Sequence, residues 1–326
     1  MEHADQAAPP DFDDILAARR RIAGRVRVTP VAGDPGLDRA LGCRLHCKCE
    51  NLQATGAFKA RGALNAVLSL REAGIGDDVA THSSGNHGAA LAFAAHRDGR
   101  MAHVVMPDNS VEAKIRNVRE NHGEIVFCEP TQDAREAGLA RLVAQGLVPV
   151  HPYEHPDIIC GQGTAAVEFL EERPQLEVLM TPVGGGGLVS GTAIAARQLR
   201  PGLDVLGAEP AGAADTAESL RRGARVESWR PDTIADGLRA LVGELTFSVI
   251  STLVDDVLTV SEDGILEGMK LVRSHLGMLI EPSSATVVAA ILEHPAVFAG
   301  REVGVIFSGG NVELRDFPGL TDIDHA

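Results

Sequence analysis

Short apolar runs alternate with helical runs along most of this chain, and that alternation restricts the fold more than any other feature. RLHCKCE, DVATHS, AHVVMP, EIVFCE, EVLMTPV, DVLGAEP and VGVIFSGGN read as strands. Between them KARGALNAVLSLREAG, HGAALAFAAHRDG, VEAKIRNVRENHG, TQDAREAGLARLVAQG, GQGTAAVEFLEE and LVSGTAIAARQLRPG carry helical spacing, with stops such as Gly74 and Gly99. Strands that alternate with helices join parallel sheets through right-handed crossovers. The expected class is therefore α/β, with two open, mostly parallel twisted sheets flanked by helices. Residues 78–150 contain enough strand–helix units for a smaller sheet of their own, and the larger sheet would draw on both ends of the chain. Expected domains are 1–75 plus 152–326 and, between them, 76–151. The polar, turn-rich stretch RRGARVESWRPDTIADG reads as a long excursion near a site.

Charge and composition exclude several functions. A net charge of −15 over 326 residues argues against a nucleic-acid partner, which needs basic patches against phosphates. No apolar run approaches the roughly 18 residues of a membrane span, and the acidic opening MEHADQAAPPDFDD is no secretory signal. Cys43, Cys47, Cys49, Cys128 and Cys160 form neither a disulfide framework nor a zinc pattern. Reduced thiols and a cytoplasmic address follow. An anionic substrate stays open, because a local site can be positive on an acidic protein.

Four motifs carry chemistry. In TPVGGGGLVSG a strand ends at Val183, Gly184, Gly185, Gly186 and Gly187 follow, and a helix opens near Leu188. Successive backbone N–H groups at a helix N-terminus suit a phosphate; a flexible turn is the alternative. Gly185, Gly187 and Glu209 give an imperfect match to a dinucleotide fingerprint, which keeps a nicotinamide-dependent oxidoreductase open. In THSSGNHG, Ser83, Ser84, Asn86 and His87 suit a carboxylate at a helix start, against an ordinary helix cap. Lys59 lies among small residues in ATGAFKARGA, in a chain with four lysines and 26 arginines. Burial would make its amine a nucleophile by disfavouring the ammonium; a solvated lysine at a helix start is the alternative. In VIFSGGN a strand delivers Ser308 to a glycine turn, where its hydroxyl can meet a ring nitrogen or serve as a plain turn serine.

Together, KCENLQATGAFKARGALNA, THSSGNHG, GQGTAAVEF, PVGGGGLVSG, IADGLRALVGELTF, LVDDVLTVSEDGI, EPSSA and FSGGNVEL resemble the fold type II pyridoxal-phosphate enzymes. More closely they resemble the serine racemase and serine/threonine dehydratase group, in order, over about residues 13–314. The resemblance implies a large cofactor-binding domain (1–75 plus 152–326) and a small mobile substrate-binding domain (76–151), paired in a homodimer. It implies that Lys59 holds pyridoxal 5'-phosphate covalently and acts as general base. Phe58 would pack on the ring, Asn86 would bond its 3-hydroxyl, Gly184 to Leu188 would hold the phosphate, and Ser308 would face the pyridine nitrogen. Ser83, Ser84, Asn86 and His87 would grip the substrate carboxylate. Ser84 on the opposite face would permit racemisation; a carboxylate-binding or capping serine is its alternative.

The implied reaction is loss of water from a β-hydroxy amino acid of the serine/threonine or 3-hydroxyaspartate type, yielding a keto acid and ammonia. A serine or aspartate racemase with side elimination is the alternative. Glu209, Asp215 and the Ala213 carbonyl match a site for a divalent cation, Mg²⁺ or Ca²⁺; a strand-end Glu and a helix-capping Asp are the bland reading. Ala89 stands where glutamine is frequent, and Ala240 and Leu241 replace a polar pair near the substrate side chain, which weakens the case for plain serine. Arg135 and Arg239 are candidates to meet a second carboxylate, as 3-hydroxyaspartate carries; a solvated helix arginine is the alternative. No C-terminal regulatory domain is expected.

Overall fold

The computed structural model describes residues 8–83, 85–110 and 112–317. Its strands are β1 (Val31–Ala32), β2 (Arg44–Lys48), β3 (Val79–His82), β4 (Ala102–Pro107), β5 (Glu124–Cys128), β6 (Val148–Pro149), β7 (Val178–Pro182), β8 (Asp204–Pro210), β9 (Asp256–Val260) and β10 (Glu302–Ile306). They form a six-stranded sheet in the order β1-β2-β10-β7-β8-β9 and a four-stranded sheet in the order β5-β4-β3-β6. Only β1 runs antiparallel to its neighbour. The smaller sheet comes wholly from residues 79–149, and the larger draws on both ends of the chain. The central strands β7 and β8 are buried almost throughout, which parallel sheets covered on both faces require.

Glycine stops end the helices where expected: Gly99 closes Asn86–Asp98 in the left-handed conformation, at φ 79°. The excursion after Arg222 carries no regular structure until the short turn Asp236–Leu238. All five cysteines are free, and Cys128 alone is less than buried. Among the described residues no helix is long and apolar enough to cross a membrane.

Three helices matter for the site: Lys59–Glu72, Pro156–Glu172 and Gly187–Leu199. The first and third open at the lysine and at the glycine turn. Their close approach explains the small residues of GQGTAA. A Cβ on Gly161 would press on the Gly62 Cα at 2.5 Å, and one on Gly163 would meet the Gly191 carbonyl at 2.8 Å. Any side chain there would push the middle helix away from its neighbours, and with them the two helix starts that frame the site.

Candidate active site

Lys59 is the first residue of its helix, and Phe58 precedes it. The Phe58 N–H donates to the Ser308 carbonyl at 2.9 Å, and Ala57 forms an isolated bridge with Gly309. The two motifs, some 250 residues apart in sequence, are thus joined by backbone. The Lys59 Nζ donates to the Pro152 carbonyl at 2.9 Å and lies 5.1 Å from the Phe58 ring centroid. Among the described residues no carboxylate pairs with it. Burial alone pulls its pKa down to about 8, so about a tenth of the amine is neutral near pH 7, far more than for an ordinary lysine.

The glycine turn runs from the end of β7 to the helix Gly187–Leu199, one residue earlier than the Leu188 start read from sequence. Gly186 sits at φ 88°, where an L side chain is strained, and a Cβ there would lie 2.8 Å from the Thr246 Cβ. A Cβ on Gly184 would meet the Leu238 backbone at 3.0 Å, and one on Gly185 would run into the Tyr153 ring. Walls on three sides leave no room for side chains along this turn, so what it offers a ligand is backbone N–H. Tyr153 follows Pro152, so one segment touches both the lysine nitrogen and the glycine turn.

Ser308 is nearly buried, and its hydroxyl lies 3.1 Å from that of Ser284. The Ser284 hydroxyl also accepts from the Gly309 N–H at 2.8 Å. No acidic group bonds the Ser308 hydroxyl among the described residues, so its surroundings are neutral.

In the second loop, Ser83 accepts from the N–H groups of Gly85 and Gly88 at 3.3 and 3.2 Å. Its hydroxyl therefore orders the loop as a cap. Asn86 donates from Nδ2 to both Glu281 carboxylate oxygens at 2.9 and 3.0 Å, and its Oδ1 accepts from Asn311 at 2.8 Å. The buried His87 imidazole meets the Val150 carbonyl at 3.1 Å through Nε2, while Nδ1 is buried without a partner. Burial, then the nearby Lys59 charge, push its pKa well below the usual histidine value, so the ring is neutral. What His87 can offer an anion is therefore its backbone N–H, in the first helical turn. Ser84 lies outside the described residues.

Arg135 is half-buried on the helix Gln132–Ala144, with one long bond at 3.4 Å to the Thr131 carbonyl. Its charge is felt at His82, next to the carboxylate loop. Arg239 instead donates to the Thr233 carbonyl at 3.1 and 2.6 Å and braces its own loop.

Glu209 is the next-to-last residue of β8 and Asp215 opens the helix Asp215–Arg222, with buried Ala213 in the turn between. Glu209 is fully buried. One of its oxygens accepts from the Ala217 N–H at 2.8 Å, and the other has no partner. Burial raises its pKa to about 8 and that of Asp215 to about 6. An orphaned carboxylate oxygen near a second carboxylate fits a hard cation. Among the described residues no cluster of three or more His, Cys, Asp or Glu side chains is placed for a metal, so the backbone and water would complete the shell.

Four participants have no reading in the sequence motifs: Tyr153, Glu281, Lys114 and Asp236. Glu281 was visible only as the first letter of EPSSA. Lys114, on the helix Glu112–Glu120, forms an ion pair with Asp236 at the end of the polar excursion and so ties the smaller sheet's layer to the larger.

Comparison with known proteins agrees with this geometry. The model of the family described as "Pyridoxal-phosphate dependent enzyme" matches residues 22–309. A beta-hydroxyaspartate dehydratase of Paracoccus denitrificans is 43% identical over 310 residues, covering 95% of this chain and 98% of the relative. An L-threo-3-hydroxyaspartate ammonia-lyase of Saccharomyces cerevisiae is 39% identical over 313 residues, covering 95% and 96%. The structure of maize serine racemase superposes with a TM-score of 0.92 at 40% identity, covering 97% of each chain. The chain belongs to the pyridoxal-phosphate dependent enzyme family, and its fold is that of the fold type II members.

Proposed function

We propose that this enzyme is an ammonia-lyase that removes water from a β-hydroxy amino acid bearing a second carboxylate, of the 3-hydroxyaspartate kind, and releases a 2-keto acid and ammonia. The observation that carries this reading is Arg135: half-buried, with no ion pair among the described residues, and with its charge reaching the carboxylate-loop side of the site. Two relatives named for hydroxyaspartate support it.

The residues fit the cofactor. Gly184 to Gly187 and Leu188 would hold its phosphate through backbone N–H groups, Ser308 would meet the pyridine nitrogen, and Phe58 would flank the ring. Asn86 would bond the 3-hydroxyl by giving up a bond to Glu281 or Asn311. When bound, pyridoxal phosphate supplies an electron sink for the pair left by the broken Cα–H bond. Lys59 would anchor the cofactor, and its Nζ would take the α-proton. A neutral His87 and a capping Ser83 order the loop whose N–H groups would bind the α-carboxylate. Arg135 orients the distal carboxylate with its fork of donors. The unit 76–151 is the part that closes, with the Lys114–Asp236 pair joining it to the rest. A homodimer in a reducing cytoplasm completes the reading; the free cysteines are consistent with that compartment.

Keto-acid and ammonia release from a panel of serine, threonine and the 3-hydroxyaspartate stereoisomers tests this. The expected result is a kcat/KM for one 3-hydroxyaspartate isomer at least about tenfold above that for serine, the scale of a specific polar contact. Faster release from serine or threonine overturns the dicarboxylate assignment. The likeness to maize serine racemase favours a second reading, racemisation. Recovered substrate of inverted configuration, by chiral chromatography, would support it.

The orphaned Glu209 oxygen supports a divalent cation held by Glu209, Asp215 and the Ala213 carbonyl. A cation that binds there in the native state and not in the unfolded chain would stabilise the fold. Addition of Mg²⁺ or Ca²⁺ is expected to raise Tm, and Glu209→Gln is expected to remove the rise. Equal shifts in the two proteins would place the ion elsewhere.

A further inference from the structure

We infer that the Tyr153 hydroxyl is a second donor, beside Arg135, in the subsite for the substrate's distal carboxylate. This rests on the dicarboxylate reading of the substrate.

Tyr153 occupies a clamped position at the heart of the site. The carbonyl of the residue before it accepts the Lys59 Nζ at 2.9 Å. One side of its ring lies on the glycine turn, where a Cβ on Gly185 would strike it and one on Gly187 would come within 3.1 Å of its own Cβ. Its other neighbour is His151, edge-on at 4.6 Å, and His151 in turn meets His82 at 5.9 Å. A row of three rings, Tyr153, His151 and His82, therefore runs from the glycine turn to the strand that leads into Ser83. The segment is held rigidly. His151 Nδ1 accepts from the Tyr153 and Glu154 N–H groups at 3.4 and 2.9 Å. The Glu154 carboxylate accepts from Leu245 and Thr246 backbone N–H and from the Thr246 hydroxyl, each at 3.0 Å.

Everything about Tyr153 is satisfied except its hydroxyl, which has no hydrogen bond among the described residues. That hydroxyl is not among the sealed polar atoms of the interior, so it faces water that a ligand carboxylate can replace. Burial and the Glu154 charge push its pKa up to about 12, so it stays protonated and can donate. Arg135 lies in the first turn of the helix Gln132–Ala144, which packs against β3, the strand that ends at His82. Both groups are unspent donors, and a carboxylate is an acceptor only. Serine and threonine bring no group to such a pair; a four-carbon dicarboxylic amino acid does.

The test uses the holoenzyme and Tyr153→Phe, which keeps the ring on the glycine turn. We expect the ratio of kcat/KM on 3-hydroxyaspartate to that on serine to fall by about tenfold or more, through KM. Calorimetric binding of succinate, which has two carboxylates and no reacting group, should weaken by about fivefold or more. The visible absorbance of the bound cofactor should not change. An unchanged ratio, with equal loss on both substrates or none, overturns the inference, as does unchanged succinate binding. If the unaltered enzyme releases nothing from 3-hydroxyaspartate yet Tyr153→Phe weakens succinate, the subsite stands and the substrate assignment falls.

Discussion

Lys59→Ala protein will show no measurable turnover and no covalent cofactor. Proton transfer by a positioned side chain alone is worth about 10²–10⁴-fold, and this substitution removes the covalent anchor as well. The geometry makes Lys59 hard to replace. No other lysine nitrogen is shown in contact with the Lys59–Pro152–Tyr153 constellation. Lys48 is consumed by Glu168, Lys114 by Asp236 and Lys270 by Glu267. Borohydride reduction followed by peptide mass mapping checks this: the unaltered protein should carry the adduct on the peptide containing residue 59, and the variant should carry none. Turnover in Lys59→Ala within tenfold of the unaltered enzyme would remove the basis of the functional assignment.

The second large effect lies just behind the lysine. Arg61→Met should lose about 3–5 kcal/mol of stability, the scale of stripping one partner from a buried ion pair. Arg61 is wholly buried and bonds Glu50 through Nε and Nη2 and Glu168 through Nη1 and Nη2, each at 2.8 Å. Lys48 reaches Glu168 at 2.8 Å, and Thr29 donates to Glu50 at 2.5 Å. Two cations balance two anions, so removal of Arg61 leaves carboxylate charge in the interior. Burial works against the Glu50 carboxylate, but the Arg61 charge and hydrogen bonds hold its pKa below the ordinary value. A depressed folded-state pKa gives stabilisation that is present above the unfolded-state pKa and is lost as pH falls through the folded one. The deficit of Arg61→Met should therefore be fully developed at neutral pH. Denaturant titration at neutral pH measures it, and a loss under about 1 kcal/mol would mean that Lys48 and Thr29 suffice without Arg61. Arg61→Lys should not rescue, since one ammonium cannot serve four such bonds in fixed directions.

Sequence and structure agree where each element carries its own signal. The helix Asn86–Asp98 and strand β4 show clear periodicity and clear glycine punctuation, and both were readable. The helix Pro282–Glu293 was not read out. Nearly all of it is buried, so it has no polar face to set a period against. The site divides the same way. Lys59, the glycine turn and Ser308 stand out because an amine among small residues, consecutive glycines and a serine at a strand end are locally unusual. Tyr153, Glu281 and the Lys114–Asp236 pair are ordinary in their own neighbourhoods, and only the tertiary arrangement gives them work. Asn86 and His87 were legible as positions, but their side-chain partners, Glu281 and Val150, were not, because those lie 195 and 63 residues away.

The backbone bond from Phe58 to Ser308 has a bearing on how the enzyme is made. During translation the lysine and its helix leave the ribosome long before the strand that completes their surroundings. A nascent chain thus exposes a reactive amine with nothing across from it, and the vitamin-derived group finds its seat only after synthesis has passed residue 308. Loading would then be a late event in biogenesis, because it waits on contacts between opposite ends of the chain.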